Sequence, residues 1–279
     1  MLIFKTVAEA QSACAQLHGE GRILGLVPTM GALHEGHLSL ARAAKAECDI
    51  VAASIFVNPT QFGPNEDFSK YPRTFEQDCA LLEGEGVDMI FAPTVDEMYP
   101  SGASTFVVVE GVSDRLDGAS RPGHFRGVTT VVSKLFHIIG PHKAFFGQKD
   151  AAQVAVLRKM VLDLNFPLRL VVCPIVREDD GLAMSSRNRY LSERERLQAL
   201  VLRRALVQIE KRASEGEMSS RTLMEMARNV FASEPDVRID YIAVVDPETL
   251  EDVPNVRDGA LVAVAAFVGT TRLIDNILL

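Results

Sequence analysis

The chain lacks the features that mark nucleic-acid-binding, membrane and secreted proteins. Its lysines and arginines form no cluster and its formal net charge is -8, which disfavours a nucleic-acid partner because phosphate neutralisation needs grouped basic side chains. No apolar run approaches membrane-spanning length, and the opening stretch MLIFKTVAEAQ has no signal-peptide core. We therefore expect a soluble cytoplasmic protein with no membrane or nucleic-acid partner.

The four cysteines also form no recognisable pattern. Cys14, Cys48, Cys79 and Cys173 are isolated, without a CxxC pair, in a chain of 279 residues that is too long to need disulfides for stability. We expect reduced, mostly buried thiols. The 47% hydrophobic and 24% charged content, free of repeats and low-complexity tracts, is that of an ordinary globular protein.

What is present is an alternation of apolar strands and amphipathic helices. We predict strands at 22–27, 49–57, 87–91, 143–146 and 168–172, and helices at 36–48, 74–83, 128–139 and 151–162. Near-continuous apolar strands separated by helices indicate a parallel sheet covered on both faces. The predicted fold class is therefore α/β, with a Rossmann-like parallel sheet domain over residues 1–175.

The composition changes near residue 176. Charged helices are predicted at 192–212 and 219–232, followed by strands at 238–245 and 260–267. The turn-rich run Arg177 to Gly181 is typical of a boundary between domains. We expect a smaller C-terminal α+β lid domain over residues 176–279.

A loop with two glycines and two histidines follows the first predicted strand. It reads PTMGALHEGH over residues 28–37 and precedes a helix, the place where open α/β sheets bind ligands and where a helix N-terminus favours phosphate. Three interpretations of His34 and His37 compete: a metal site, two structural histidines, or phosphate binding. The spacing does not match the His-Glu-x-x-His pattern of zinc proteases, and no Walker A loop occurs in the chain.

Three other clusters follow predicted strands or precede helices. FGQKD (146–150) has the same placement as the histidine loop, and its Lys149 is either a phosphate ligand or a solvated lysine beside a capping Asp150. MSSRN (184–188) offers hydroxyls and a guanidinium for phosphate, or is a surface turn. Asn58, Gln61 and Gln153 place amides at the sheet edge, suited to a hydroxy acid.

The remaining histidines and one acidic pair carry less signal. His18, His137 and His142 are interpreted as structural or exposed, whereas His124 lies in the unusual run RPGHFRG and is kept apart from them. Asp179-Asp180 before a glycine is more typical of a turn than of a metal site.

Together these segments resemble the pantoate:beta-alanine ligase family, in the nucleotidyltransferase superfamily with HIGH and KMSKS-type motifs. The resemblance covers nearly the whole chain and rests on PTMGALHEGHLSL, FVNPTQFGPNEDFSKYPR, RPGHFRGVTTVVSKLF, FFGQKD, REDDGLAMSSRNRYLS and GTTRLIDN. It implies a homodimer that uses ATP, with Mg2+ carried on the triphosphate, to convert pantoate to pantoyl adenylate and then to pantothenate by reaction with beta-alanine.

The resemblance also implies roles for individual residues. His37, His34 and Lys149 would be catalytic, with His37 donating to the leaving pyrophosphate, and Gln61 and Gln153 would bind pantoate, Gln61 also beta-alanine. The ATP site would comprise Met30, Gly31, Ala32, Leu33, His34, Glu35, Gly36, His37, Gly147, Gln148, Lys149, Asp150, Val176, Met184, Ser185, Ser186 and Arg187. No residue is assigned to a metal.

The chain departs from the family pattern beside Lys149. Ala151 and Ala152 stand where the family has larger residues, which affects the expected packing of the pantoate pocket, and Gln148 replaces a common Glu. Three other functions are weighed: nucleotidyl transfer to a phosphorylated acceptor, which would need more cations than Lys70 and Arg73; a silent nucleotide-binding module; and a tRNA ligase, disfavoured by the acidic charge.

Overall fold

The computed structural model describes residues 1–64, 66–256 and 259–279. In chain order its elements are β1 (Leu2–Phe4), α1 (Val7–Gly19), β2 (Leu24–Thr29), α2 (Glu35–Glu47), β3 (Ile50–Ile55), α3 (Phe75–Gly84), β4 (Met89–Phe91), α4 (Val95–Met98), α5 (Asp117–Ser120), α6 (His124–Ile139), β5 (Lys143–Gly147), α7 (Ala151–Asp163), β6 (Arg169–Cys173), α8 (Glu193–Ser214), α9 (Ser220–Phe231), β7 (Val237–Val245), β8 (Leu261–Val268) and β9 (Thr271–Leu278). Short 3-10 turns cover Pro59–Gln61, Val112–Asp114, Gln148–Asp150 and Ser186–Tyr190.

Six strands form a parallel sheet in the order β1-β4-β3-β2-β5-β6. From β2 the chain builds outward through β3 and β4 on one side, and later through β5 and β6 on the other. The direction of winding therefore reverses between β2 and β5, where the diverging connections leave a crevice at the carboxyl ends of the strands. The histidine loop follows β2 and the Lys149 loop follows β5, so both open into it.

The parallel sheet is buried on both faces, which explains its continuous apolar strands. On one face Leu24 and Leu26 share a core with α6 and α7. On the other face Val27 and Val51 share a core with α2. All four side chains are fully buried.

The antiparallel sheet β7-β8-β9 lies between two apolar layers. Along β8, Leu261 and Ala263 belong to the core that contains α6 and α7, while Val262 and Val264 pack with α8 and α9. This alternation follows the two-residue period of a strand. One face of the small sheet is thus turned toward the parallel-sheet layer.

The predicted fold class is confirmed, but not every element was predicted. Two strands, β1 and β9, and three helices, α1, α4 and α5, were missed, and α6 begins at His124, four residues before the predicted 128. Gly127 disfavours a helix in the sequence. In the structure α6 packs so closely on the turn at Thr60 that a Cβ at residue 127 would lie 2.2 Å from the carbonyl oxygen of Thr60, so only glycine fits there. The division at residues 175 and 176 stays a prediction.

The structure also addresses the expectations about the cysteines and about membrane-spanning helices. All four thiols are free; Cys14 and Cys173 are buried, whereas Cys48 and Cys79 are partly exposed. In the ranges that the structure describes, no helix is both long and apolar enough to span a membrane.

Candidate active site

The two histidines at the start of α2 are held by backbone groups. His34 is the N-cap, and its Nδ1 accepts the N-H of Gly36 at 3.2 Å. The Nδ1 of His37 accepts the N-H of His34 at 3.4 Å, and the two ring centroids lie 4.1 Å apart. Because both Nδ1 atoms accept, the neutral rings carry their proton on Nε2, which is left as a donor.

The environment keeps both imidazoles neutral. Burial, followed by the positive charge of Lys149, lowers the pKa of His34 to about 4. Burial, followed by the neighbouring His34, lowers the pKa of His37 to about 3. At neutral pH the pair therefore offers uncharged N-H donors, and a bound polyanion would favour their protonation.

The loop before α2 is anchored by the buried carboxylate of Asp78 on α3. Its oxygens accept the N-H groups of Ala32 at 2.9 Å and Leu33 at 2.8 Å. Gly31 has φ +80°, and a Cβ there would lie 3.0 Å from Asp78 Oδ2. Glycine allows this approach, and Asp78 fixes the path of the chain into α2.

Two cavities open at the crevice between β2 and β5. The first, of about 160 Å³, is lined by Met30, His34, Gly36, His37, Leu40, Tyr71, Gly147, Lys149, Asp150, Pro174, Ile175, Val176, Met184, Ser185, Ser186 and Arg187. Twelve of these belong to the seventeen residues expected to bind ATP. These twelve residues come from four separate parts of the sequence, at 30–37, 147–150, 176 and 184–187, which the fold brings together.

The second cavity, of about 180 Å³, has one apolar wall. Val128, Val131, Val132 and Leu135 of α6 supply that wall, and its polar rim includes Gln61 and Gln153. Met30, His37, Tyr71, Asp150 and Arg187 line both cavities. The two spaces therefore adjoin at these five residues, which separate an apolar, amide-rimmed site from a cationic one.

Lys149 and Asp150 lie beside the histidines. Lys149 Nζ is 3.6 Å from Asp150 Oδ1. Burial alone would raise the pKa of Asp150, but nearby groups, Lys149 foremost, lower it overall. Asp150 precedes α7, but its side chain makes no capping hydrogen bond. The alternative of a capping aspartate beside a solvated lysine therefore has no support.

The Ser185–Arg187 loop is tied to other parts of the site. Ser185 Oγ accepts the N-H of Arg187 at 3.2 Å, as a turn cap does, and buried Ser186 donates to the carbonyl oxygen of Ala32 at 3.0 Å. Arg187 donates from Nε and Nη2 to both oxygens of Asp67, at 3.0 and 2.9 Å. The guanidinium thus faces both cavities while it is paired with a carboxylate.

Gln61 is oriented by a buried neighbour. Asn58 Nδ2 donates to Gln61 Oε1 at 2.9 Å and to the carbonyl oxygen of Gly127 at 3.1 Å, while Tyr99 donates to Asn58 Oδ1 at 2.8 Å. Asn58 engages the oxygen end of the Gln61 amide, so Nε2 is the end turned to other partners.

Several residues of the cavity walls were given no role from the sequence, among them the polar side chains of Tyr71, Arg121 and His124. Arg121 makes a two-pronged pair with Glu66 at 2.7 Å, and His124 Nδ1 lies 2.8 Å from the carbonyl oxygen of Gln61. Burial, followed by the charge of Arg121, lowers the pKa of His124 to about 4. The run RPGHFRG was the available signal for the last two.

Five expected ATP-site residues lie outside both cavities: Gly31, Ala32, Leu33, Glu35 and Gln148. The first three have their N-H groups occupied within the protein: that of Gly31 donates to Thr29 Oγ1, and those of Ala32 and Leu33 donate to Asp78. Glu35 pairs with Arg42 on the surface, and Gln148 bonds to Asn276. Their roles remain expectations.

The residues set aside in the sequence have structural positions. His18 and His137 contact the carbonyl oxygens of Gly140 and Ser133, and His142 accepts the N-H of Leu24. Asp179-Asp180 lies in a turn closed by Gly181 at φ +91°. Over residues 1–64, 66–256 and 259–279, no group of three His, Cys, Asp or Glu side chains is placed to hold a metal ion.

An open parallel sheet with two adjoining cavities at its switch point, one cationic and one apolar with an amide rim, is the architecture of an α/β enzyme that brings small substrates together. The pantoate-beta-alanine ligase family model matches residues 2–278. The chain belongs to this family, and it is accordingly a ligase that joins pantoate and beta-alanine.

Individual relatives agree with the family match. The chain is 66% identical to the pantothenate synthetase of Acidobacterium capsulatum, over 99% of this chain and 96% of that one, and 61% identical to that of Koribacter versatilis, over 100% and 96%. The crystal structure of pantothenate synthetase from Thermus thermophilus superimposes with a TM-score of 0.95 at 47% identity, covering 99% of both chains. The Francisella tularensis pantoate-beta-alanine ligase, complexed with beta-gamma ATP and beta-alanine, superimposes with a TM-score of 0.77 at 33% identity, covering 100% and 97%.

Proposed function

We propose that the chain makes pantothenate in two steps through a pantoyl adenylate, with ATP in the Lys149 cavity and pantoate in the Gln61 cavity. The observation that carries this is the set of five residues shared by the two cavities. A carboxylate in one cavity and an α-phosphate in the other would meet at His37, Asp150 and Arg187. The ATP and beta-alanine of the Francisella complex support the choice of substrates.

In the first step a pantoate carboxylate oxygen attacks the α-phosphorus. An oxygen-phosphorus bond forms, the bond to the bridging oxygen breaks, and pyrophosphate leaves with its electron pair. Lys149, Ser185, Ser186 and Arg187 stabilise the charge on the α-phosphate, and His34 and His37 donate Nε2-H to the departing phosphates, His37 to the leaving oxygen. Gly147 and Val176 hold the nucleotide.

In the second step the amine of beta-alanine attacks the acyl carbon. The carbon-nitrogen bond forms, AMP leaves with the acyl-oxygen electron pair, and the nitrogen releases its extra proton to water. Gln61 and Gln153 hold the pantoyl hydroxyls and carbonyl, while Val128, Val131 and Val132 contact its methyl groups. Gln61 also lies beside the incoming amine.

The nucleotidyl-transfer alternative has no support from its two expected cations, because neither Lys70 nor Arg73 lines either cavity. Arg73 donates to the carbonyl oxygens of Tyr71 and Phe68, so it closes its own loop. Arg121 faces the Gln61 cavity but is paired with Glu66. A phosphorylated acceptor would meet compensated charge there.

Pantoate-dependent exchange of pyrophosphate into ATP, measured without beta-alanine, tests the adenylate. We expect exchange only when pantoate is present. Exchange of equal rate without pantoate, or pantothenate formation with no exchange at all, would overturn the two-step route. Repeating the assay with EDTA tests the Mg2+ that we propose travels with the triphosphate: exchange should stop and return with added Mg2+.

The homodimer and the cytoplasmic location are further parts of the proposal. Two exposed apolar side chains in segment 104–108, which is neither helix nor strand, support an apolar contact between copies: Phe106 is 42% and Val108 55% exposed. Sedimentation of the wild type and of Val108→Glu tests it, since a monomeric wild type would exclude the dimer.

A further inference from the structure

Strand β9 reaches from the small sheet into the Lys149 loop. Asn276 Nδ2 donates to the carbonyl oxygens of Gln148 at 3.0 Å and Lys149 at 2.9 Å. Gln148 Nε2 donates back to Asn276 Oδ1 at 3.1 Å. Both ends of one amide are therefore committed to the loop that carries Lys149.

The position of Asn276 makes this contact rigid. Its side chain is 3% exposed, and across the sheet it pairs with Ala263, a residue of the core shared with α6 and α7. Asn276 therefore lies on the face of the small sheet that is turned toward the parallel sheet. A buried amide with its hydrogen bonds satisfied fixes its partners more closely than a surface contact does.

The neighbouring residue, Asp275, is linked through Arg177 to the hairpin that precedes Met184, another residue of the same cavity. Asp275, 3% exposed, accepts from Arg177 Nη1 at 2.7 Å and Nη2 at 2.9 Å. Arg177 also donates to the carbonyl oxygen of Gly181, in the hairpin that leads to Met184. Two consecutive residues of β9 thus anchor both the Lys149 loop and the hairpin before Met184 to one strand.

We propose that Asn276 is a positioning residue for the adenylation step. It acts through Lys149, because its two donated bonds fix the peptide carbonyls on either side of the Lys149 Cα and so set the origin of that side chain. The inference rests on the proposed function, in which Lys149 neutralises charge at the α-phosphate. A small displacement of such a group weakens it most in the transition state.

The test is a double-mutant cycle in pantoate-dependent ATP-pyrophosphate exchange on the full chain. Asn276→Ala should lower kcat about 10- to 100-fold and leave the pantoate KM within about twofold. In the Lys149→Ala background the same change should have little further effect, since the group it positions is gone. Independent, multiplicative losses would overturn the proposal.

Two variants separate positioning from folding. Val264→Ala removes buried side-chain atoms from the face of β8 that packs with α8 and α9. If its melting temperature is lowered about as much as that of Asn276→Ala, it should still keep wild-type kcat. Asn276→Asp retains an acceptor but turns a carboxylate toward two carbonyl oxygens, so it should be no better than Asn276→Ala. Wild-type kcat in Asn276→Asp would show that the donated bonds are not needed.

Hydrogen exchange gives a readout independent of turnover. Asn276→Ala should raise amide exchange over residues 147–152, whereas Val264→Ala should not, and unchanged exchange in Asn276→Ala would overturn the proposal. If the wild type shows no pantoate-dependent exchange of pyrophosphate, the proposed function fails and the inference fails with it. If the wild type shows that exchange and the cycle is multiplicative, only the inference fails.

Discussion

Arg187 and Asp67 form a two-pronged ion pair across the mouth of the site, with nitrogen-oxygen distances of 3.0 and 2.9 Å. The side chain of Arg187 is only 27% exposed and that of Asp67 23%. The cation that would meet a phosphate is thus paired with a carboxylate in this structure. Any phosphate that uses Arg187 has to share it with Asp67 or displace the carboxylate.

We therefore predict that Asp67→Asn lowers the KM for ATP about three- to tenfold, which corresponds to about 1 kcal/mol of lost competition. The measurement is initial exchange rate against ATP concentration at saturating pantoate. Glu66→Gln is the matched control, because Glu66 pairs with Arg121 instead. A raised KM for ATP in Asp67→Asn would mean that Asp67 orients Arg187 rather than competing for it.

Acid should destabilise the fold through the histidine pair. The pKa values of His34 and His37 are lowered to about 4 and about 3, below that of an unfolded histidine, so between about pH 6.5 and these values the unfolded chain binds more protons. Stability is then fully present above about pH 6.5 and falls as the pH falls, by up to about 1.4 kcal/mol per pH unit for each imidazole.

Urea unfolding at pH 7 and pH 5 measures this loss. We expect His37→Gln to lose less stability between the two pH values than the wild type does, because one of the two imidazoles is removed. Comparing the two proteins cancels the titration of the carboxylates they share. An equal loss in both would contradict the assignment of the effect to His37.

A negative charge at position 61 should weaken the binding of pantoate, which is itself an anion. Gln61→Glu keeps an acceptor for Asn58 Nδ2, which now lies 2.9 Å from Gln61 Oε1, but it replaces the donor end with negative charge. We predict that Gln61→Glu raises the KM for pantoate, an anion, more than Gln61→Ala does, by roughly a further tenfold. The KM for ATP should change little, and exposed Gln16→Ala should change neither.

Gly127 should tolerate no side chain. A Cβ would lie 2.2 Å from Thr60 O and 2.7 Å from the backbone nitrogen of Gln61, so Gly127→Ala has to push α6 away from the turn that carries Gln61. We predict a loss of about 1–3 kcal/mol in unfolding free energy together with a raised KM for pantoate.

The control for that prediction is Gly84→Ala. Gly84 is also helical, in α3, but its added Cβ would meet nothing within 4 Å. Alanine there should leave stability unchanged or slightly raised. Equal losses in the two variants would contradict steric contact with the Gln61 turn as the cause.

Local pattern sufficed for the elements that are apolar on both faces. β2, β3 and β5 lie at the centre of the parallel sheet, and their unbroken apolar runs can be recognised without knowledge of their partners. β9 was missed because Asp275 and Asn276 are polar yet buried. Their polar groups are paired with Arg177 and with the Lys149 loop, which lie 98 and 127 residues away in the chain.

The same distinction separates the predicted from the unpredicted parts of the site. His34, Lys149 and Ser185 follow strands or precede helices, so their placement could be read locally. Asp78 and Asp67 resemble ordinary surface acids in the sequence, and their roles come from partners 46 and 120 residues distant. A single chain carries no local signal for such pairings.

The bond from Asn276 to the carbonyl oxygen of Lys149 spans 127 residues. During synthesis at about 5–20 residues per second, the ribosome adds that length on the order of ten seconds after Lys149 itself. The Lys149 loop is therefore made well before the strand that holds it. A nascent chain halted before β9 would contain Lys149 but would lack both hydrogen bonds that fix the carbonyl groups on either side of it.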